Sequence, residues 1–333
     1  MTTRLLLLAL AFGSLPTLSA RAIEYTDVYP AEADPLMGDW EGRWSEQEDV
    51  DPEMAAQVIP LGGELYRIVL VNKLHLRYPP ILSVEVNKAD GGLKFEEKGL
   101  YGEIKGDTFN GGRKPGMKTF TMKKVAPVPP TLGAKPPEGA VVLFDGKGLD
   151  AWETPEGWTV LGDGALMVTP QGKDLLSKQK LKDVKMHVEF RLPFMPKQRG
   201  QARGNSGVFC QDVYEVQVLD SYGLEGYNNE CGAMYKVSPP HVNACAPPLQ
   251  WQTYDIAYRG PRFDAAGTVT EFARITVHQN GILIQNVQEL PWITAWKEKE
   301  RLQPPPREPG PIRLQAHNNF VQFRNIWVVP VPE

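Results

Sequence analysis

Apolar and polar residues alternate with a period of two along much of the chain. Over 184–192, Val184, Met186, Val188, Phe190 and Leu192 fall on one side, and Lys185, His187, Glu189 and Arg191 on the other. Successive side chains of a strand point to opposite faces, so this pattern predicts a strand with one buried face. The same alternation sets Val216 and Val218 against Glu215 and Gln217 over 214–220. Over 312–317 it sets Ile312, Leu314 and Ala316 against Arg313, Gln315 and His317. Segments 274–278 and 282–284 flank Gln279-Asn280-Gly281, which reads as a hairpin with an Asn-Gly turn. Nearer the N-terminus, 38–44, 64–70 and 119–122 read as strands. Gly62-Gly63, Asp90-Gly91-Gly92, Lys105-Gly106-Asp107 and Asn110-Gly111-Gly112 supply turns between strands. No long stretch carries a 3.6-residue period, so the expected class is all-β.

Residues 126–138 interrupt this pattern with five prolines in thirteen positions. Such a stretch cannot sit inside a sheet or helix and reads as an extended, semi-rigid spacer. It separates two β domains, 36–125 and 139–333. The first has the strand spacing of a small antiparallel barrel or sandwich. Its opening Gly38-Asp39-Trp40-Glu41-Gly42 resembles the start of calycin-type barrels, which bind small ligands. The second is long enough for two packed sheets, a jelly-roll-like sandwich. Residues 23–35 read as a loose leader. Ahead of them, Arg4, the apolar run 5–12 and Ala20-Arg21-Ala22 have the three parts of a cleaved secretory signal over 1–22. The expected location is therefore periplasmic or secreted. The apolar run is too short to span a bilayer, and no later run reaches the ~18 apolar residues a span needs, so no transmembrane segment is expected.

Composition narrows the picture. The 31 glycines and 30 prolines among 333 residues argue against a helical bundle. Hydrophobic residues at 42% are enough for real cores and exclude a disordered chain. The net charge of -4 offers no footprint for nucleic acid, and loss of Arg4 and Arg21 with the signal moves it only to -6. Three cysteines exclude a disulfide-dense mini-fold and any four-cysteine zinc site. In an exported protein Cys231 and Cys245, which bracket 13 residues, are expected to form a disulfide, leaving Cys210 as a buried thiol.

The sequence has no Gly-rich phosphate loop, Ser elbow or His-Glu-x-x-His motif. What remains is a polar face built from several strands. Sugar hydroxyls need paired donors and acceptors, which Asn, Gln and Arg supply. Glu215 and Gln217 project side by side, and only Glu215 could act as a base. His317 shares a strand face with Arg313 and Gln315 and could move a proton. Each pair reads equally as a solvated strand face. Asn205, just after the basic loop 197–204, could hold a substrate hydroxyl or simply close a turn. Trp251, Trp292 and Trp296 could stack on sugar rings, the last two from a long irregular rim around Pro304, Pro305 and Pro306.

Several motifs occur together and in order. They are Val142-Leu143-Phe144-Asp145-Gly146-Lys147-Gly148-Leu149-Asp150-Ala151-Trp152, Asn205-Ser206-Gly207-Val208 and Tyr214-Glu215-Val216-Gln217-Val218-Leu219-Asp220-Ser221. Gly232-Ala233-Met234-Tyr235, Trp251-Gln252-Thr253-Tyr254-Asp255, Ile312-Arg313-Leu314-Gln315-Ala316-His317 and Phe323-Arg324-Asn325-Ile326-Trp327 follow. As a set they resemble the 3-keto-disaccharide hydrolase family, also described as 3-keto-glucoside-1,2-lyase/hydratase, over about 140–330. The resemblance implies a concanavalin A-like lectin/glucanase sandwich and a glucoside already oxidised at C3. It implies cleavage by removal of the C2 proton, β-elimination at C1 and hydration, with a sugar 3-dehydrogenase as functional partner. By motif membership, Glu215 and His317 are then the acid/base candidates, and Asn205, Gln217, Gln315 and Arg324 the substrate contacts. The family usually reads Asp-His-Gly after Leu-Gln, where this chain has Ala316-His317-Asn318, so a carboxylate is missing there. No cofactor is required by the sequence, and a divalent cation stays open. The alternatives are a non-catalytic carbohydrate-binding protein on the same sandwich and an ordinary glycoside hydrolase, which needs a carboxylate pair.

Overall fold

Eight strands between Gly38 and Val125 pair antiparallel in one sheet. The computed structural model describes residues 23–45, 52–76, 79–113, 118–153 and 155–332; the signal expected at 1–22 lies outside them. The sheet's two end strands, Leu82–Asn87 and Leu93–Glu97, approach each other without a ladder, so it curls into a nearly closed barrel. The interior is solid. Trp40, Phe95 and Phe120 pack edge-on around Phe109, with ring centroids 5.5–6.2 Å apart. The space for these rings comes from inward-facing Gly102 and Gly111. A Cβ at Gly102 would stand 2.4 Å from the Phe95 ring, and one at Gly111 2.3 Å from Phe120. Side chains thus fill the place where the calycin-like opening suggested a ligand.

The second domain is the expected sandwich. A five-stranded sheet has the order Trp152–Glu153, Leu175–Leu181, Gly310–Leu314, Ser206–Cys210, Tyr214–Val218. A larger sheet is built around Gln322–Pro330, Asp183–Arg191, Trp251–Arg259, Ala273–Gln279 and Ile282–Leu290. The alternating apolar residues meet between the sheets: Val208, Tyr214, Val216 and Leu314 from one, Val184, Met186, Val188 and Phe190 from the other. Each sheet is left with an outer face carrying its polar residues.

The leader and spacer both depart from expectation, because each finds polar partners on the larger sheet. The Tyr29 hydroxyl donates to Arg191 O and Phe320 O at 3.1 and 2.8 Å, so the leader is anchored. The proline-rich spacer lies across the outer face of that sheet. The Thr131 hydroxyl donates to Asp255 (2.6 Å), Gly133 N–H donates to Glu189 (2.6 Å), and Ala134 O accepts from Asn325 (2.9 Å). Limited proteolysis with thermolysin, which cuts before Leu132, should therefore spare 131–134; first cleavage there would contradict the docked strap.

The barrel also rests on the sandwich. Ile59, Leu61 and Val69 pack on the fully buried Tyr222, whose hydroxyl donates to Asp39 at 2.8 Å. The expected Cys231–Cys245 disulfide is not formed: Cys210, Cys231 and Cys245 are all buried free thiols. The Cys231 and Cys245 thiols face each other within hydrogen-bond reach. Cys231 Sγ also meets the Tyr254 hydroxyl (3.2 Å) and Gln279 Nε2 (3.3 Å), and Cys245 Sγ faces Leu219 O and Ala246 O.

Candidate functional site on the outer face of the five-stranded sheet

Strand register builds the site in two rows. Gly207 pairs with Gln217 on one side, and its carbonyl accepts from Gln315 N–H on the other (3.0 Å). One step along, Phe209 lies between Glu215 and Arg313. All six positions belong to the outer face, because their neighbours Val208, Val216 and Leu314 enter the core. Gly207 is the small member the arrangement requires. A Cβ there would meet Glu215 Oε1 at 2.5 Å, so the carboxyl lies over the glycine.

The Glu215 backbone is held on both sides. Its N–H donates to the Thr294 hydroxyl (2.8 Å), and its carbonyl accepts from Tyr235 N–H (3.2 Å). Only 4% of the residue is exposed, so this part of the polar face is buried and not solvated. Burial pushes its carboxyl up to about 8; the Arg313 guanidinium opposes this and the Asp174 carboxylate adds to it. Arg313 is itself committed, pairing with Asp174 and Asp212, both at 2.6 Å, with its guanidinium 3.5 Å above the Phe209 ring.

The amide row is set by Gln201, which the sequence reading overlooked. Its Nε2 donates to Asn229 O (2.7 Å), which turns Oε1 inward. That oxygen accepts from Asn205 Nδ2 (3.2 Å) and Gln217 Nε2 (3.0 Å). Both NH₂ groups are thereby used, and Asn205 Oδ1 and Gln217 Oε1 are left buried without partners, as is Gln315 Oε1. Unpaired buried acceptors are costly, and three beside one carboxyl suit a ligand rich in hydroxyl donors. Gln201 lies in a single 3-10 turn, Gly200–Ala202, too short for any periodicity to reveal its direction.

His317 follows Gln315 by two residues on the exposed exit loop from Gly310–Leu314, and its carbonyl accepts from Asn319 Nδ2 (2.7 Å). Thr294 ties its segment to the edge strand, leaving Trp292 and Trp296 50% and 66% exposed on either side. Arg324 is a correction. It sits on Gln322–Pro330, in the other sheet, where its Nε donates to Glu189 (2.6 Å) and its guanidinium covers Trp251 at 4.0 Å. It does not join Glu215, because its strand belongs to the opposite layer. Among the described residues no cluster of three His, Cys, Asp or Glu side chains could hold a metal ion.

Residues 139–329 match the family described as a 3-keto-alpha-glucoside-1,2-lyase-like domain. The chain belongs to this family. A solved structure from Parabacteroides distasonis, titled a "putative glycosyl hydrolase", is 40% identical with a TM-score of 0.55, covering 59% of this chain and 85% of its own. Another structure from that organism with the same title is 17% identical with a TM-score of 0.42, covering 59% and 95%. No curated protein matches. A 3-keto-alpha-glucoside-1,2-lyase-like domain with such a relative makes this a carbohydrate-active enzyme working on glycosides. The family match ends short of the barrel, which lies wholly before residue 139.

Proposed function

We propose that the protein cleaves 3-keto-glucosides by elimination and hydration, with Glu215 as the base. The observation carrying this reading is a buried carboxyl raised to about 8 beside three unpartnered amide oxygens. A ketone at C3 acidifies the C2–H bond. Glu215 takes that proton, and the electron pair moves onto the C3 oxygen as an enolate. The enolate collapses, expelling the C1 oxygen with its bond pair, and His317 protonates that oxygen. Water then adds across C1=C2, OH to C1 and H to C2, for net hydrolysis. A base whose pKa lies near the working pH is well matched to this step. Asn205, Gln217 and Gln315 accept from the sugar hydroxyls.

The substrate's ketone requires an oxidoreductase acting on glucosides upstream, and the segment 1–22 fits export to the periplasm or beyond. The test is incubation with a 3-keto-glucoside and with the unoxidised glucoside. Product from the keto sugar alone, slowed by deuterium at C2, is expected. Tight binding without turnover would favour the carbohydrate-binding alternative, to which Ala316 in place of the family's usual acid lends weight. Cleavage of the unoxidised sugar would favour ordinary hydrolysis.

A further inference from the structure

A cleft of about 540 Å³ opens where the barrel meets the sandwich. Its barrel wall is an apolar strip of Val69, Val71 and Leu74, and its sandwich wall is the segment from Gly223 to Glu230. Several of the polar groups around it are engaged. Arg67 pairs with Glu85 (2.7 Å), and Lys73 with Glu53 (3.2 Å). Glu230 accepts from the Gly226 and Tyr227 amides at 2.7 and 3.0 Å, and Asn243 Nδ2 donates to Ser221 O and Leu224 O at 2.7 and 2.8 Å. This is the reverse of the outer face, where amide oxygens await donors. The cleft offers shape and apolar surface; the outer face offers unmet hydrogen bonds. A sugar suits the second, and a flat apolar ring suits the first, between Val71 and the 54% exposed Tyr227.

The two places share a wall. Asn229, next to the cleft residue Glu230, supplies the carbonyl that orients Gln201 and, through it, Asn205 and Gln217. A smaller cavity lined by Leu61, Arg67, Gly200 and Leu224 lies between the cleft and the Gln201 loop. The Arg199 guanidinium braces that loop against the barrel at Leu61 O (3.1 Å).

We propose that the interdomain cleft is an aglycone site, taking the aromatic, apolar leaving group of a glycoside whose sugar lies on the outer face. This rests on the reaction read above. It gives the barrel a role: half of the leaving-group site.

The test compares methyl and 4-methylumbelliferyl 3-keto-glucosides, which share one sugar. The wild type should show a KM about tenfold lower for the aryl substrate, the scale expected for burying a ring. Val71→Trp fills the cleft, and Tyr227→Ala removes its lip. Both should abolish the difference and leave KM and kcat for the methyl glycoside unchanged. Equal KM values in the wild type, or a preference that survives both variants, would overturn the proposal. If neither substrate turns over, the reaction has been misread, and fluorescence titration with free 4-methylumbelliferone decides the cleft separately. Saturable binding lost in Val71→Trp upholds an aromatic site there; absent or unaffected binding removes it.

Discussion

Glu215→Gln is expected to lower turnover of a 3-keto-glucoside by about 10²-fold or more, the usual scale for removing a general base. The amide keeps the shape over Gly207 and takes away only the proton acceptor. In the wild type, kcat/KM should climb with pH until about 8 and then level, because the carboxyl must ionise to act. The variant should lose that limb. Stability should move the other way. The folded carboxyl sits at about 8, above its ordinary value of 4.5. Its contribution is therefore fully present below about 4.5 and lost as pH rises through about 8, where ionising it costs the fold a few kcal/mol. Glu215→Gln should thus melt higher than wild type at pH 9 while being far slower. Lys185→Ala, on the exposed part of the other sheet, is the neutral control. A wild-type rate in Glu215→Gln with an unchanged melt would assign the chemistry elsewhere.

Glu189→Ala should destabilise the protein by about 3–5 kcal/mol, the usual result of removing one partner of a buried ion pair. Glu189 and His187 side chains are 1% and 0% exposed, and Glu189 also holds Arg324 (2.6 Å), Asn325 (2.9 Å) and the strap at Gly133 (2.6 Å). Burial pushes His187 down, but hydrogen bonds and charges from Asp255 and Glu189 outweigh it and leave the ring raised to about 9. Burial likewise pushes Glu189 up, and its bonds to His187, Asn325 and Arg324 bring it down to about 2. The histidine contribution is complete below about 6.5 and fades as pH rises through about 9. The glutamate contribution is complete above about 4.5 and fades as pH falls through about 2. Denaturant unfolding across pH should show a plateau between these limits, lowered throughout in the variant. Turnover per folded molecule should hold, because this cluster lies on the opposite sheet from Glu215. A large loss of activity at unchanged stability would return Arg324 and its neighbours to the site.

Alternation of apolar and polar residues was enough to place strands within 184–192, 214–220 and 312–317 and to tell their core-facing sides from their polar ones, though the last two strands end at Val218 and Leu314 and leave His317 on a loop. A pleated strand repeats every two residues, so that information is local. The barrel and sandwich were legible for the same reason, as was the shared face of Glu215, Gln217 and Gln315. What alternation cannot say is what lies over a polar face. His187 and Glu189 have the same pattern as Glu215 and Gln217, yet a strap from 131–134 covers the first pair, and the second stays beside unmet acceptors. Arg324 belongs to the motif but to the other layer, because membership follows chain order and layers follow long-range pairing. Gln201 carries no periodic signal, and only the Asn229 carbonyl, 28 residues away in sequence, fixes its direction. The raised Glu215 carboxyl is likewise a product of packing, since its desolvation depends on neighbours brought from distant segments such as Gly207 and Thr294 and outweighs the opposing Arg313 guanidinium. Sequence alone determined the strands and which of their residues are polar; tertiary structure decided which polar face became a site, because burial and unmet hydrogen bonds arise only when distant segments meet.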